Sequence, residues 1–201
     1  NNTYSASSTV LAGSWSIITE QPYSGDVLTV WADNVADSSE STAITTYSGS
    51  GNVDGMVLNA NVLSVGSGGS QSMSVTNLSQ YTCSNDEDVM HSVVSSTLSV
   101  QGCSNSYSDE KIDILNTDTL TVSGTETLTT DNLDINGTLT SSGSATYNVA
   151  GTWSNAGTFT ADTSTVYFNA GSGTQTLRSG GTGAGKLFNN LIHSGAGTLQ
   201  L

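Results

Sequence analysis

The run Asn85-Asp86-Glu87-Asp88 is the densest group of hard oxygen donors in the sequence. Oxygen donors crowded on one loop are what Ca²⁺ takes. The run follows neither the EF-hand spacing nor the Gly-rich nonapeptide of calcium-binding β-helices, so a solvated acidic loop is the preferred reading and Ca²⁺ at these four residues the weaker candidate. Cys83 and Cys103 flank the run, with no CxxC or Cys/His spacing that would suit redox or metal chemistry. A disulfide between them would close a loop of about 20 residues, worth about 3 kcal/mol in the chain-entropy model. His91 and His193 are the only histidines, and no GxSxG nucleophile elbow accompanies them. Asp131 and Asp134 imitate a glycosidase carboxylate pair. Enzymes that cleave acidic polysaccharides need cations to hold a polyanion, and this chain offers only Lys111, Arg178 and Lys186. The chain therefore reads as non-catalytic, with no cofactor beyond the weak Ca²⁺ candidate.

Composition narrows the partners. Net charge is −14, and no Lys or Arg precedes Lys111, so phosphate backbones and anionic membrane surfaces are repelled. Only 10% of residues are charged, which leaves surface polarity to Ser, Thr, Asn and Gln. No apolar run is long enough to span a bilayer as a helix. Two cysteines, and Asn-x-Ser/Thr sequons at Asn1, Asn77 and Asn136, suit an extracellular or cell-surface location and candidate glycosylation.

The elements that would position these groups announce themselves by repetition. "LDINGTLT" from Leu133 and "YNVAGTWS" from Tyr147 share one formula: apolar, spacer, apolar, small or polar residue, then Gly-Thr. The apolar-x-apolar doublet also occurs at 63, 73, 98, 112, 120 and 166, more loosely at 191, and again at 199. Period two means a strand with one face buried, and the Gly or Asn after it reads as a corner that permits positive φ. A second apolar beat follows, at Leu128, Leu139, Trp153 with Phe159, Leu177 and Leu199. The pattern predicts an all-β fold, a parallel β-solenoid over residues 56–201 with a disulfide-closed excursion at 83–103. Residues 1–55 lack the formula and read as a β-rich cap, assembly segment or small domain. A β-sandwich is the alternative fold. Leu63, Val65, Leu120, Val122, Leu133, Ile135, Tyr147, Val149, Val166 and Phe168 are expected to point inward. "TLT" at 138, "TFT" at 158 and "TQT" at 174 would project pairs of hydroxyls, as an ice- or crystal-binding surface does, although uneven rung lengths argue against a regular lattice.

The stretch "NVAGTWSNAGTFTADTSTVYFNAGSGTQTLRSGG", with "KLFNNLIHSGAGTLQL" after it, resembles the repetitive β-strand proteins of microbial cell surfaces, among them autotransporter-passenger and adhesin β-solenoids. The likeness covers residues 111–201 well, 56–110 weakly and the N-terminal part not at all. It implies a secreted or surface-displayed scaffold, adhesin or filament subunit and carries no binding residues with it. The expected function is thus structural or adhesive, and the alternatives are a glycan-binding module or a polysaccharide-degrading β-helix. The rung at "GTLQL" would have an open edge, to be covered by a longer chain or by a neighbouring copy. The charge-free residues 1–18 are the expected donor of a covering strand, so deleting residues 1–12 should abolish polymers.

Overall fold

The computed structural model describes residues 15–16, 20–36, 39–101, 103 and 109–201. The Asn1 sequon and residues 1–12 lie outside them. Strand β1 (Val27–Trp31) pairs antiparallel with β2 (Ser41–Thr46), and β2 then stacks parallel on β3 (Val62–Val65). Parallel stacking therefore begins at Ser41, inside the segment that the sequence formula does not reach. After β3 come β4 (Ser72–Ser74), the short helix α1 (Val75–Leu78), and a hairpin of β5 (Ser92–Val94) and β6 (Thr97–Ser99). This hairpin is antiparallel, unlike the coils around it. Ser95 and Ser96, both at positive φ, supply the two-residue turn whose twist matches the flanking strands.

Regular coils follow, each of three strands. The first is β7 (Lys111–Ile114), β8 (Thr119–Ser123) and β9 (Thr127–Thr130). The second is β10 (Asn132–Ile135), β11 (Thr138–Ser142) and β12 (Thr146–Val149). The third is β13 (Thr152–Asn155), β14 (Thr158–Thr160) and β15 (Thr165–Phe168). Then come β16 (Thr174–Arg178), β17 (Asn190–His193) and β18 (Thr198–Gln200). Equivalent strands stack into three walls. The first runs β1-β2-β3-β7-β10-β13-β16-β18, the second β4-β8-β11-β14, and the third β5-β6-β9-β12-β15-β17. From β2 onward the first wall is parallel throughout, which gives a β-solenoid of about 7 turns and excludes the sandwich.

All ten residues expected to point inward are buried, none more than 1% exposed. Each wall contributes columns to one core: Leu63, Ile112, Leu133 and Trp153 stack in the first wall, and Met73, Leu120, Leu139 and Phe159 in the second. In the third wall Leu98, Leu128, Tyr147, Val166 and Leu191 continue the same arrangement. The two matching phrases occupy different corners of the coil. "LDINGTLT" turns from the first wall into the second, whereas "YNVAGTWS" turns from the third into the first. The partner of Leu133 on the next coil is Trp153, so the structural repeat of "LDINGTLT" is "WSNAGTFT".

Gly124, after "LTV", is at positive φ as expected, whereas the corner glycines Gly137 and Gly157 have a different job. Gly137 and Gly157 are not in the left-handed region. An added Cβ at Gly157 would fall on the Gly137 carbonyl oxygen, and one at Gly137 on the carbonyls of Leu115 and Asp118. They are glycine because coil lies directly on coil at the corner, where hydrogen bonds such as Thr158 N–H to Gly137 O (2.8 Å) hold the stack.

Candidate functional site

Beneath the first coils, where the second wall has no strand level with β2, the residues after α1 plug the open end of the core. Leu78, Val89, Met90 and His91 are all 0% exposed there. Met90 N–H donates to Thr42 Oγ1 (2.9 Å), and Trp31 of β1 stacks on Tyr81 at 5.1 Å. Cys83 and Cys103 form the expected disulfide, with Cα atoms 5.4 Å apart. His91 is part of this plug, with Nε2 2.9 Å from the Leu78 carbonyl, and burial pushes its pKa down to about 4. A neutral imidazole donating to a carbonyl is a structural group. His193 lies on the exposed strand β17, far along the chain from any acid that would complete a triad.

The acidic run is only partly assembled into a cluster. Asp86 and Asp88 meet Asp33, from the turn after β1, with one carboxylate oxygen of each within 4.8 Å of the others. Asn34 N–H donates to Asp88 Oδ2 (2.7 Å) and Asp88 N–H to Asp86 Oδ1 (3.1 Å). Asn85 is turned away, its Oδ1 accepting from Thr82 N–H (2.9 Å), and Glu87 is not in the group. Asp33, Asp86 and Asp88 are the described residues that could hold a hard cation. Sequence reasoning missed Asp33 because it is brought in by the β1–β2 fold, not by spacing. Of the sequons, Asn77 closes a capping box on α1 with Ser74, and exposed Asn136 donates Nδ2–H to Asp113 Oδ1 (2.8 Å).

Asp131 and Asp134 do not converge as a catalytic pair. Asp134 lies on the outer face of the first wall in an ion pair with Lys111 (2.8 Å). Asp131, at the corner before β10, accepts from Asp109 N–H (3.0 Å) and stands beside Glu110. Glu110 is 5% exposed, and burial, followed by the Asp131 and Asp109 charges, pushes its pKa up to about 7. No sequence signal marks it, since the pairing of Lys111 with Asn132 is what brings Glu110 level with Asp131.

Glu110 and His91 make stability depend on pH in opposite senses. The native state holds the Glu110 proton up to about pH 7, whereas the unfolded chain releases it near 4.5, so this group destabilises the fold progressively as pH rises across that window. His91 takes up a proton near 6.5 when unfolded but only near 4 when folded, so its contribution is lost as pH falls through that range. Glu110→Gln is therefore expected to match the parent below about pH 4.5 and to exceed it above pH 7. The gain should be on the order of 2 kcal/mol, read from urea unfolding across the range. Equal stabilisation at all pH values would show that Glu110 is not held protonated.

The outer faces of the walls differ in character. The first carries Lys111, Asp113, Asp134 and Arg178, and burial raises the Asp113 carboxyl above its usual range. The third carries a Thr column (Thr97, Thr127, Thr146, Thr165) beside a mixed one of Ser99, Thr129, Asn148, Tyr167 and Ile192. The second wall presents only hydroxyls: Ser72, Thr119, Thr138 and Thr158 in one column, and Ser74, Thr121, Thr140 and Thr160 in the next. "TQT" at 174 does not join them, because Gln175 points inward and donates Nε2–H to the Val149 carbonyl (2.7 Å).

Above β14 the second wall gives way to residues 179–189, which leave an open notch of about 370 Å³ beside Phe159, Leu187 and Phe188. Lys186 fixes this segment, donating to Asn155 O (2.9 Å) and Gly157 O (2.6 Å). No helix among the described residues is long and apolar enough to cross a membrane. Compared with family models, curated proteins and solved structures, the chain matches none.

Proposed function

We propose that this chain is an extracellular structural or adhesive solenoid that associates through its β17–β18 end. The observation that carries the reading is the open edge there. β17 has only β15 as a strand neighbour and β18 only β16, and Leu187, Leu191 and Ile192 are 59%, 41% and 39% exposed. Leu191 stands over Val166 in the core column of the third wall, so a further rung would bury it. A second copy of the chain is the partner we infer for that rung; edge strands this apolar invite pairing. The plugged end contrasts with it, since a disulfide and four fully buried side chains seal the core there. The disulfide and the hydroxyl-rich, weakly charged surface support placement outside the cell.

Sedimentation velocity and negative-stain microscopy at neutral pH test the reading. Elongated, concentration-dependent assemblies are expected, and Leu191→Asp, which sets a charge on the added-rung interface, should return them to monomer. A chain that stays monomeric at high concentration, with fast amide exchange along β17 and β18, would refute association at this end.

A further inference from the structure

The second wall is chemically unlike the rest of the molecule. In a chain of net charge −14, its outward positions carry no charged group. Ser74 Oγ is committed to the cap of α1. Among the described residues, no protein group hydrogen-bonds to the hydroxyls of Thr119, Thr121, Thr138, Thr140, Thr158 or Thr160. On the third wall, by contrast, Thr129 and Thr165 accept from Asn148 and Asn190 (3.4 Å each). The uneven rung lengths that argue against a lattice in the sequence lie outside β8, β11 and β14, for example in the segments 47–61 and 179–189. β8, β11 and β14 lie on successive coils in strict register, Thr138 facing Thr119 and Thr158, and Thr140 facing Thr121 and Thr160.

Strand geometry then fixes a two-dimensional array, with hydroxyls about 4.8 Å apart from rung to rung and about 6.6 Å apart along each strand. β-branched threonine is stiff at χ1, so the array is ordered before it meets anything. Each position offers a methyl beside a hydroxyl and no charge that would hold its own hydration shell.

We propose that this face binds ice. The rung-to-rung translation lies within a few tenths of an ångström of the shortest repeat of water oxygens in hexagonal ice, so water held along each threonine column can join the lattice in the stacking direction. A crystalline polysaccharide is the less favoured partner, because sugar faces are held by stacked aromatic rings and no aromatic side chain points outward from β4, β8, β11 or β14. Binding needs only the monomer, so failure here leaves the association reading untouched.

The test is ice recrystallisation and crystal shaping by the whole chain, with serum albumin as the control protein. The parent is expected to arrest recrystallisation and facet growing crystals. Thr140→Lys, in the middle rung, should require at least about tenfold more protein for the same effect, while Thr146→Lys on the third wall should stay within about twofold. Thr121→Lys serves as a second variant, and each is first checked for a parent-like melting transition. The proposal is overturned if the parent behaves like albumin, if Thr146→Lys loses as much as Thr140→Lys, or if the parent is retained on microcrystalline cellulose through Thr140 without affecting ice.

Discussion

Trp153→Ala is expected to cost about 3–5 kcal/mol, the range for emptying a buried aromatic site. Trp153 is 0% exposed in the middle of the stack, with Leu133 on the coil below and Leu177 on the coil above. Its ring meets Phe159 at 4.9 Å, Phe188 at 5.1 Å and Tyr147 edge-on at 6.2 Å. The cluster ties all three walls together, because β12, β13 and β14 each supply one ring. One effect works the other way: Trp153 Nε1–H is buried without a partner, and removing an unsatisfied donor recovers about 1–3 kcal/mol. The cost therefore falls near the lower bound, and Trp153→Phe, which keeps the ring and drops the donor, should cost much less. Guanidinium unfolding measures both. A Trp153→Ala loss below about 1 kcal/mol would mean that these rings are not packed as described.

Replacing Cys83 and Cys103 together by alanine should cost about 3 kcal/mol, the chain-entropy value for a sequence separation of 20. The loss should be local in its consequences. The bridge holds the plug, and the plug meets the first strands at Thr42 of β2 and Trp31 of β1, whereas β10 to β15 depend on their own coils. Limited proteolysis should then cut between residues 79 and 109 while the regular coils stay protected. Cleavage spread evenly over the chain would contradict this division of labour.

Much of the architecture was legible because burial in a strand is a local, period-two signal. "LTV", "LDI", "YNV" and "VYF" each name two inward residues, and every one of them is in the core. What the sequence hid was nonlocal. The interval between "LDINGTLT" and "YNVAGTWS" compares two different corners, and only pairing shows that Leu133 answers to Trp153. Gly137 and Gly157 look like residues chosen for φ, while their constraint is the carbonyl of the coil beneath. Glu110 meets Asp131, and Asp33 meets Asp86 and Asp88, through register and cap packing that no spacing rule encodes. The hydroxyl array was half visible. "TLT" at 138 and "TFT" at 158 belong to it, "TLT" at 119 completes it, and "TQT" at 174 turns its glutamine into the core.

The central claim is that consecutive coils stack parallel and in register about one core. Nuclear Overhauser contacts in the isotope-labelled chain test it most directly. The account predicts contacts from the Tyr147 ring to Leu128 and Val166, from Leu139 to both Leu120 and Phe159, and from Leu133 to Ile112 and Trp153. Close Hα–Hα contacts between neighbours in sequence, such as β10 with β11 or β12 with β13, are the mark of antiparallel hairpins, and finding them in place of the coil-to-coil set would contradict the account.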